Sequence, residues 1–171
     1  MKRAKKFPFR TIQRQRLRFH FDNASTLGGL PSEQDFFRWI WTALKNEYHS
    51  ADISLLLLDE DEARAYNREY RGKDYATNVL SFALNEGEVM PEHVSDGLCG
   101  DLVICAPVVL KEAAEQGKTA EQHFAHLTMH GTLHLMGYDH IEEAEAEEME
   151  ALEIRLMQHS GYPNPYREDE Y

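Results

Sequence analysis

Residues 15–21 alternate, with Gln15, Leu17, Phe19 and Phe21 on one side and Arg16, Arg18 and His20 on the other. This period of two predicts a half-buried strand. Ser32 then predicts a helix N-cap, with Asp35 at the capping-box position. Phe36, Phe37, Ile40, Trp41 and Leu44 share one helical stripe, read as core in preference to a base-stacking surface. ISLLLL at 53–58 predicts a buried strand. DEDEARAYNREYRG at 59–72 predicts a helix with acids in its first turn and arginines toward its end, which complements the helix dipole. Gly72 is its expected stop. TNVLSF at 77–82 and GDLVIC at 100–105 predict the third and fourth strands, with a Gly- and Pro-containing loop at 85–99. Further helices are predicted over 107–116, ended by Gly117, and from Thr119 to about Met136, ended by Gly137. The last covers 142–159, with Met149, Leu152, Ile154 and Leu156 on its apolar side. A mobile tail is expected after Gly161.

The order β-α-β-α-β-β-α-α-α predicts a single α+β domain, a mixed four-stranded sheet packed with about five helices. The expected boundaries are a basic arm at 1–14, the domain at 15–162 and a C-terminal tail at 163–171. A length of 171 residues suits one core. With 42 % hydrophobic and 28 % charged residues, the composition excludes a disordered chain. No apolar run approaches the roughly 18–20 residues of a membrane span. The N-terminus lacks the apolar stretch of a secretion signal, so a cytoplasmic protein is expected, with Cys99 and Cys105 as reduced thiols.

The net charge of −12 argues against a polyanion partner until its distribution is considered. Lys2, Arg3, Lys5, Lys6, Arg10, Arg14, Arg16 and Arg18 form an acid-free stretch, and Arg64, Arg68, Arg71 and Lys73 a second basic group. Seven glutamates crowd 142–153. The molecule is therefore expected to have a positive and a negative side.

The candidate chemistry lies in HGTLHLMGYDH at 130–140. His130 and His134 are one helical turn apart and share a face. Gly137 breaks the helix, so the chain can fold back and bring in His140. Two helical ligands and one loop ligand leave a fourth tetrahedral position open, the layout of a catalytic zinc site, although nickel and copper also suit three imidazoles. This places a metal cleft at the end of the histidine-bearing helix. His126 lies about 12 Å from His134 along the helix, too far to share an ion, and is read as core or as a partner of a ligand. His123 is expected to be solvated. Gly131 stands where His-Glu-x-x-His proteases carry their proton-accepting glutamate, which disfavours peptide hydrolysis. A glycine there would let another backbone or a substrate approach closely. Arg64, Arg68 and Arg71 share one side. Arg64 and Arg68 are read as partners of surface acids such as Glu60, and Arg71 as a phosphate contact. Asp139 is read as fixing a histidine tautomer or capping the turn, with a water-activating base as the alternative.

The block HGTLHLMGYDH resembles the signature of the YbeY family of endoribonucleases and rRNA maturation factors. NREYRGKDYATNVLSF at 67–82 and GDLVIC at 100–105 match the family's two other blocks in order. Asn78 stands where many members carry Asp. The resemblance implies a small α+β fold, zinc held by His130, His134 and His140, and Arg71 facing the metal cleft. It also implies trimming of rRNA, especially the 3′ end of small-subunit (16S) rRNA, and ribosome quality control. The expected function is a zinc-dependent, single-strand-preferring endoribonuclease acting on rRNA and the small ribosomal subunit, with no membrane or DNA partner. The alternatives are a non-catalytic ribosome assembly factor with a structural metal, and a metal-dependent hydrolase of another substrate.

Overall fold

The computed structural model describes residues 16–48, 50–84 and 97–167. The basic arm 1–14 and most of the loop after the third strand lie outside the described residues. The elements are β1 (Leu17–Asn23), α1 (Glu33–Leu44), β2 (Ser50–Leu58), α2 (Glu60–Arg71), β3 (Val79–Ala83), β4 (Gly97–Cys105), α3 (Ala106–Glu115), α4 (Ala120–Leu135) and α5 (Glu143–His159). They follow the predicted order. β4 starts three residues before Gly100 because its parallel pairing with β2 continues back to Gly97 opposite Ser50.

The four strands form one mixed sheet in the order β1-β2-β4-β3. β1 and β4 both run parallel to β2, and β3 runs antiparallel to β4. One face is buried beneath α1 and α4. There Ile53, Leu55, Leu57, Leu102 and Ile104 meet Phe36, Ile40 and Phe124, all at most 1 % exposed. Burying a side chain such as Phe124 contributes about 1.5–3 kcal/mol. The other face carries a smaller cluster of Leu58, Ala63, Leu80, Val103 and Cys105 under α2. Cys99 and Cys105 are free thiols. Among the described residues no helix is long and apolar enough to cross a membrane.

Local chemistry fixes the helix ends. Ser32 accepts from the Asp35 backbone and Asp35 returns a bond to the Ser32 backbone, the predicted capping box. Thr119 and Gln122 repeat it at α4. Gly72 ends α2 in the left-handed region at φ 69°. The stripe of α1 is rotated from the expected one. Trp39 is fully buried, while Phe37 and Trp41 are only partly covered. The cause is the neighbours: Phe36 packs edge-on to Phe124 of α4, and Trp39 to Tyr162 beyond α5.

Helix α4 is enclosed on nearly every side and lies against the sheet along its length. Gly131 permits this. A Cβ there would meet Leu102 Cδ2 at 2.9 Å, Ser81 Oγ at 3.1 Å and Val79 Cγ2 at 3.1 Å. The Ser81 hydroxyl donates to the Gly131 carbonyl at 3.0 Å across the same gap. What approaches this glycine is neither a backbone nor a substrate but side chains of β3 and β4. Gly131→Ala should push α4 off the sheet and lower stability by about 1–3 kcal/mol, read as a lower denaturant midpoint.

Candidate metal centre

His130 and His134 project from the last turns of α4, and the chain reverses at Gly137, φ 97°. Tyr138 and Asp139 bring His140 back over the helix end. The ring centroids lie 4.6 Å apart for His130 and His134, 5.0 Å for His134 and His140, and 5.7 Å for His130 and His140. One nitrogen from each ring can be chosen so that all three atoms lie within 4.8 Å of one another. The structure therefore brings together the three histidines that the sequence singled out.

Hydrogen bonds orient two of the rings. His130 Nδ1 donates to Glu153 Oε1 at 2.6 Å, and His134 Nδ1 to the Tyr138 carbonyl at 2.9 Å. Both Nδ1 protons are thereby committed, which leaves the two Nε2 lone pairs facing each other at 3.1 Å. Two facing lone pairs repel unless a cation lies between them. Tetrahedral coordination at about 2.05 Å would set ligand atoms about 3.3 Å apart, close to this spacing. The residues present fit a divalent transition metal. Burial lowers the pKa of His134, assisted by the neighbouring His130 and His140, so its imidazole is neutral and able to ligate at pH 7. His140 is the exposed member. Its backbone N–H donates to Asp139 Oδ1 at 2.7 Å, so Asp139 caps the turn.

Glu153 is a functional residue that the sequence reading missed. It is 1 % exposed and holds His126 as well as His130, with His126 Nε2 donating to Oε1 at 3.1 Å. Burial alone would push its carboxyl up. The hydrogen bonds from His126, His130 and the Tyr166 hydroxyl outweigh this and hold it at about 2. It is a carboxylate at neutral pH. His126, His130 and Glu153 also form a compact group of possible ligands. The 2.6 Å between Glu153 and His130 is short for two ligands of one ion and right for a charged hydrogen bond. The signal was available: Glu153 falls at i+4 from Met149 and i−4 from Met157, the two buried methionines of α5.

Two readings need correction. His123 is buried, not solvated, at 3 % exposure, because Glu112 of α3 takes its Nε2 at 2.7 Å. Asn78 donates to both oxygens of the same carboxylate, at 3.2 and 3.1 Å. Residues 162–167 are not a loose tail. Lys118 Nζ donates to the Pro165 carbonyl at 2.6 Å, and the Tyr166 hydroxyl donates to Glu153 Oε2.

A cleft of 990 Å³ opens over the histidines and is walled by the edge strand β3, Arg71, Lys73 and Tyr75. Arg71 lies on it as expected. Its Nη2 donates to the Ser81 carbonyl at 2.8 Å, and its guanidinium sits 5.4 Å from the centre of the Phe82 ring. Arg64 spends its fork on Asp74 at 2.9 and 2.8 Å, and Arg68 lies 3.9 Å from the same carboxylate. Both arginines thus face a surface acid, as read from the sequence, and that acid is Asp74. His134→Ala should abolish tight binding of a divalent transition metal while leaving the circular dichroism spectrum intact. Elemental analysis should find about one equivalent per wild-type chain and none in the variant.

The model of the family described as Endoribonuclease YbeY matches residues 29–161. A protein of Neisseria meningitidis serogroup B named endoribonuclease YbeY is 74 % identical over 169 residues, covering 99 % of this chain and 100 % of the relative. One of the same name from Chromobacterium violaceum is 49 % identical over 171 residues, covering 99 % of each. A Thermotoga maritima protein solved in solution superposes with a TM-score of 0.51 at 23 % identity, over 88 % of this chain and 99 % of that one, a likeness of fold alone. With a family model matching residues 29–161 and a relative of that name 74 % identical over 99 % of this chain, the chain belongs to the YbeY endoribonuclease family.

Proposed function

We propose that this chain is a zinc-dependent endoribonuclease that prefers single-stranded RNA. We place its work in rRNA processing in the cytoplasm, including the 3′ end of small-subunit rRNA, and in ribosome quality control. The observation that carries the catalytic reading is the pair of Nε2 lone pairs, fixed by Glu153 and Tyr138, that converge with His140 on the floor of a cleft holding Arg71. The names of the relatives support the ribonuclease reading.

When bound, zinc supplies a Lewis acid that stabilises negative charge developing on phosphate oxygens. The chain's own residues do the rest. Glu153 and the Tyr138 carbonyl each take an Nδ1 proton and so aim the two Nε2 atoms at the cleft. Arg71, braced on the Ser81 carbonyl, retains guanidinium N–H groups to hold a phosphate beside them. Tyr70 and Tyr75, 57 % and 53 % exposed, flank the cleft and offer ring faces to unpaired bases. A duplex keeps its bases stacked inside and cannot use those faces, which supports the single-strand preference.

Arg71→Ala should lower the cleavage rate of a single-stranded RNA on the order of 10²-fold with metal content unchanged. Cleavage by purified, nuclease-free protein should rise in proportion to bound metal. Fully loaded wild-type protein that binds RNA or ribosomal particles without cutting would overturn the reading in favour of a non-catalytic assembly factor.

A further inference from the structure

The segment after α5 reaches the metal centre from behind. Tyr162 packs edge-on to Trp39 and donates to Glu121 at 2.6 Å. Lys118 anchors the Pro165 carbonyl. Tyr166 then lies edge-on to the His126 ring, centroids 5.3 Å apart, with its hydroxyl on Glu153 Oε2.

The two oxygens of Glu153 divide their partners. Oε1 takes His126 and His130, and Oε2 takes Tyr166. The last torsion of a glutamate has broad rotamer wells. The Tyr166 bond on Oε2 adds a third tether to the two on Oε1, so the carboxylate cannot turn without breaking charge-assisted hydrogen bonds in a buried site. The His126 ring supports this geometry. Its Nδ1 is buried with no partner, which fits a bare lone pair on a ring whose proton sits on Nε2 and is donated to Glu153. Each neighbour of the carboxylate is thus a donor, and the last of them comes from outside the helices.

We infer that Tyr166 is a positioning residue for the metal site: its hydroxyl, acting through Glu153, holds the His130 imidazole in the orientation that presents Nε2 to an ion. The inference rests on reading His130, His134 and His140 as metal ligands. It makes residues 162–167 part of the metal centre, although none of them touches the cleft's histidine ligands.

The test uses the full chain and Zn2+ as the probe. Tyr166→Phe keeps the ring against His126 and removes only the hydroxyl. The dissociation constant for Zn2+, measured by competition with a metal indicator, should weaken about 10-fold in this variant and up to about 100-fold in Glu153→Gln. Tyr162→Phe, in the same segment but with no bond to Glu153, should bind as wild type. The Co2+ visible absorption bands of Tyr166→Phe should shift, since they report ligand geometry. A merely structural role would lower the unfolding temperature of the metal-free variant and leave its Zn2+ affinity and Co2+ bands unchanged, and that result would overturn the inference. A second measurement needs no variant. Coupling is reciprocal, so Zn2+ should raise the amide hydrogen-exchange protection of residues 162–167 in the wild-type chain. Unchanged protection would also overturn it. Wild-type protein that fails to bind Zn2+ at all would overturn the metal reading and this inference together, whereas normal wild-type binding with an unaffected Tyr166→Phe overturns this inference alone.

Discussion

The rest of the structure depends on how closely α4 lies against the sheet. At Gly131 the helix backbone comes within hydrogen-bonding distance of a β3 side chain, and a Cβ at that position would crowd Leu102, Ser81 and Val79. That approach puts His130 beside an edge strand, and the Arg71 guanidinium is braced on a carbonyl of the same strand. The glycine at the protease-glutamate position is therefore a packing feature as well as a chemical difference: a larger residue there would crowd the side chains of Leu102, Ser81 and Val79.

Charge is arranged to serve the same centre. Most of the glutamates of α5 face solvent, while Glu153 is the one turned inward among the buried residues of that helix. Its burial would be costly for a lone carboxylate. Three donors surround it, so the negative charge is satisfied and lies behind the ring that faces the cleft. Such a carboxylate strengthens an imidazole as a ligand by drawing on its far proton. Among the described residues Glu153 is the one fully buried acid, set apart from the solvated glutamates of its own helix.

The sequence made the element order, the Ser32–Asp35 capping box and the three-histidine cluster legible, because each depends on residues within about one or two helical turns. The i,i+4 spacing of His130 and His134 and the helix-ending Gly137 sufficed to place His140. What remained hidden depends on distant partners. His123 is buried because Glu112 of another helix receives it. The α1 stripe is turned by Phe124 and Tyr162, far along the chain. Glu153 sat at a readable helical spacing, yet its glutamate neighbours made it resemble part of a solvated face. Nothing local to Tyr166 marks it as reaching back to α5. The strand order was likewise invisible, since it follows from which hydrophobic faces pair across long stretches of chain.

The central pair of strands, β2 and β4, runs parallel although α2, β3 and the loop after it lie between them in sequence. That loop must be closed before the strands can reward it, an entropic toll that grows with the logarithm of its length. Chains built on such non-local pairing reach the native state more slowly than helical bundles of equal size. The sheet that carries the histidine helix is thus built on one of the chain's slow, non-local pairings, while the contact of that helix with α1 does not depend on it.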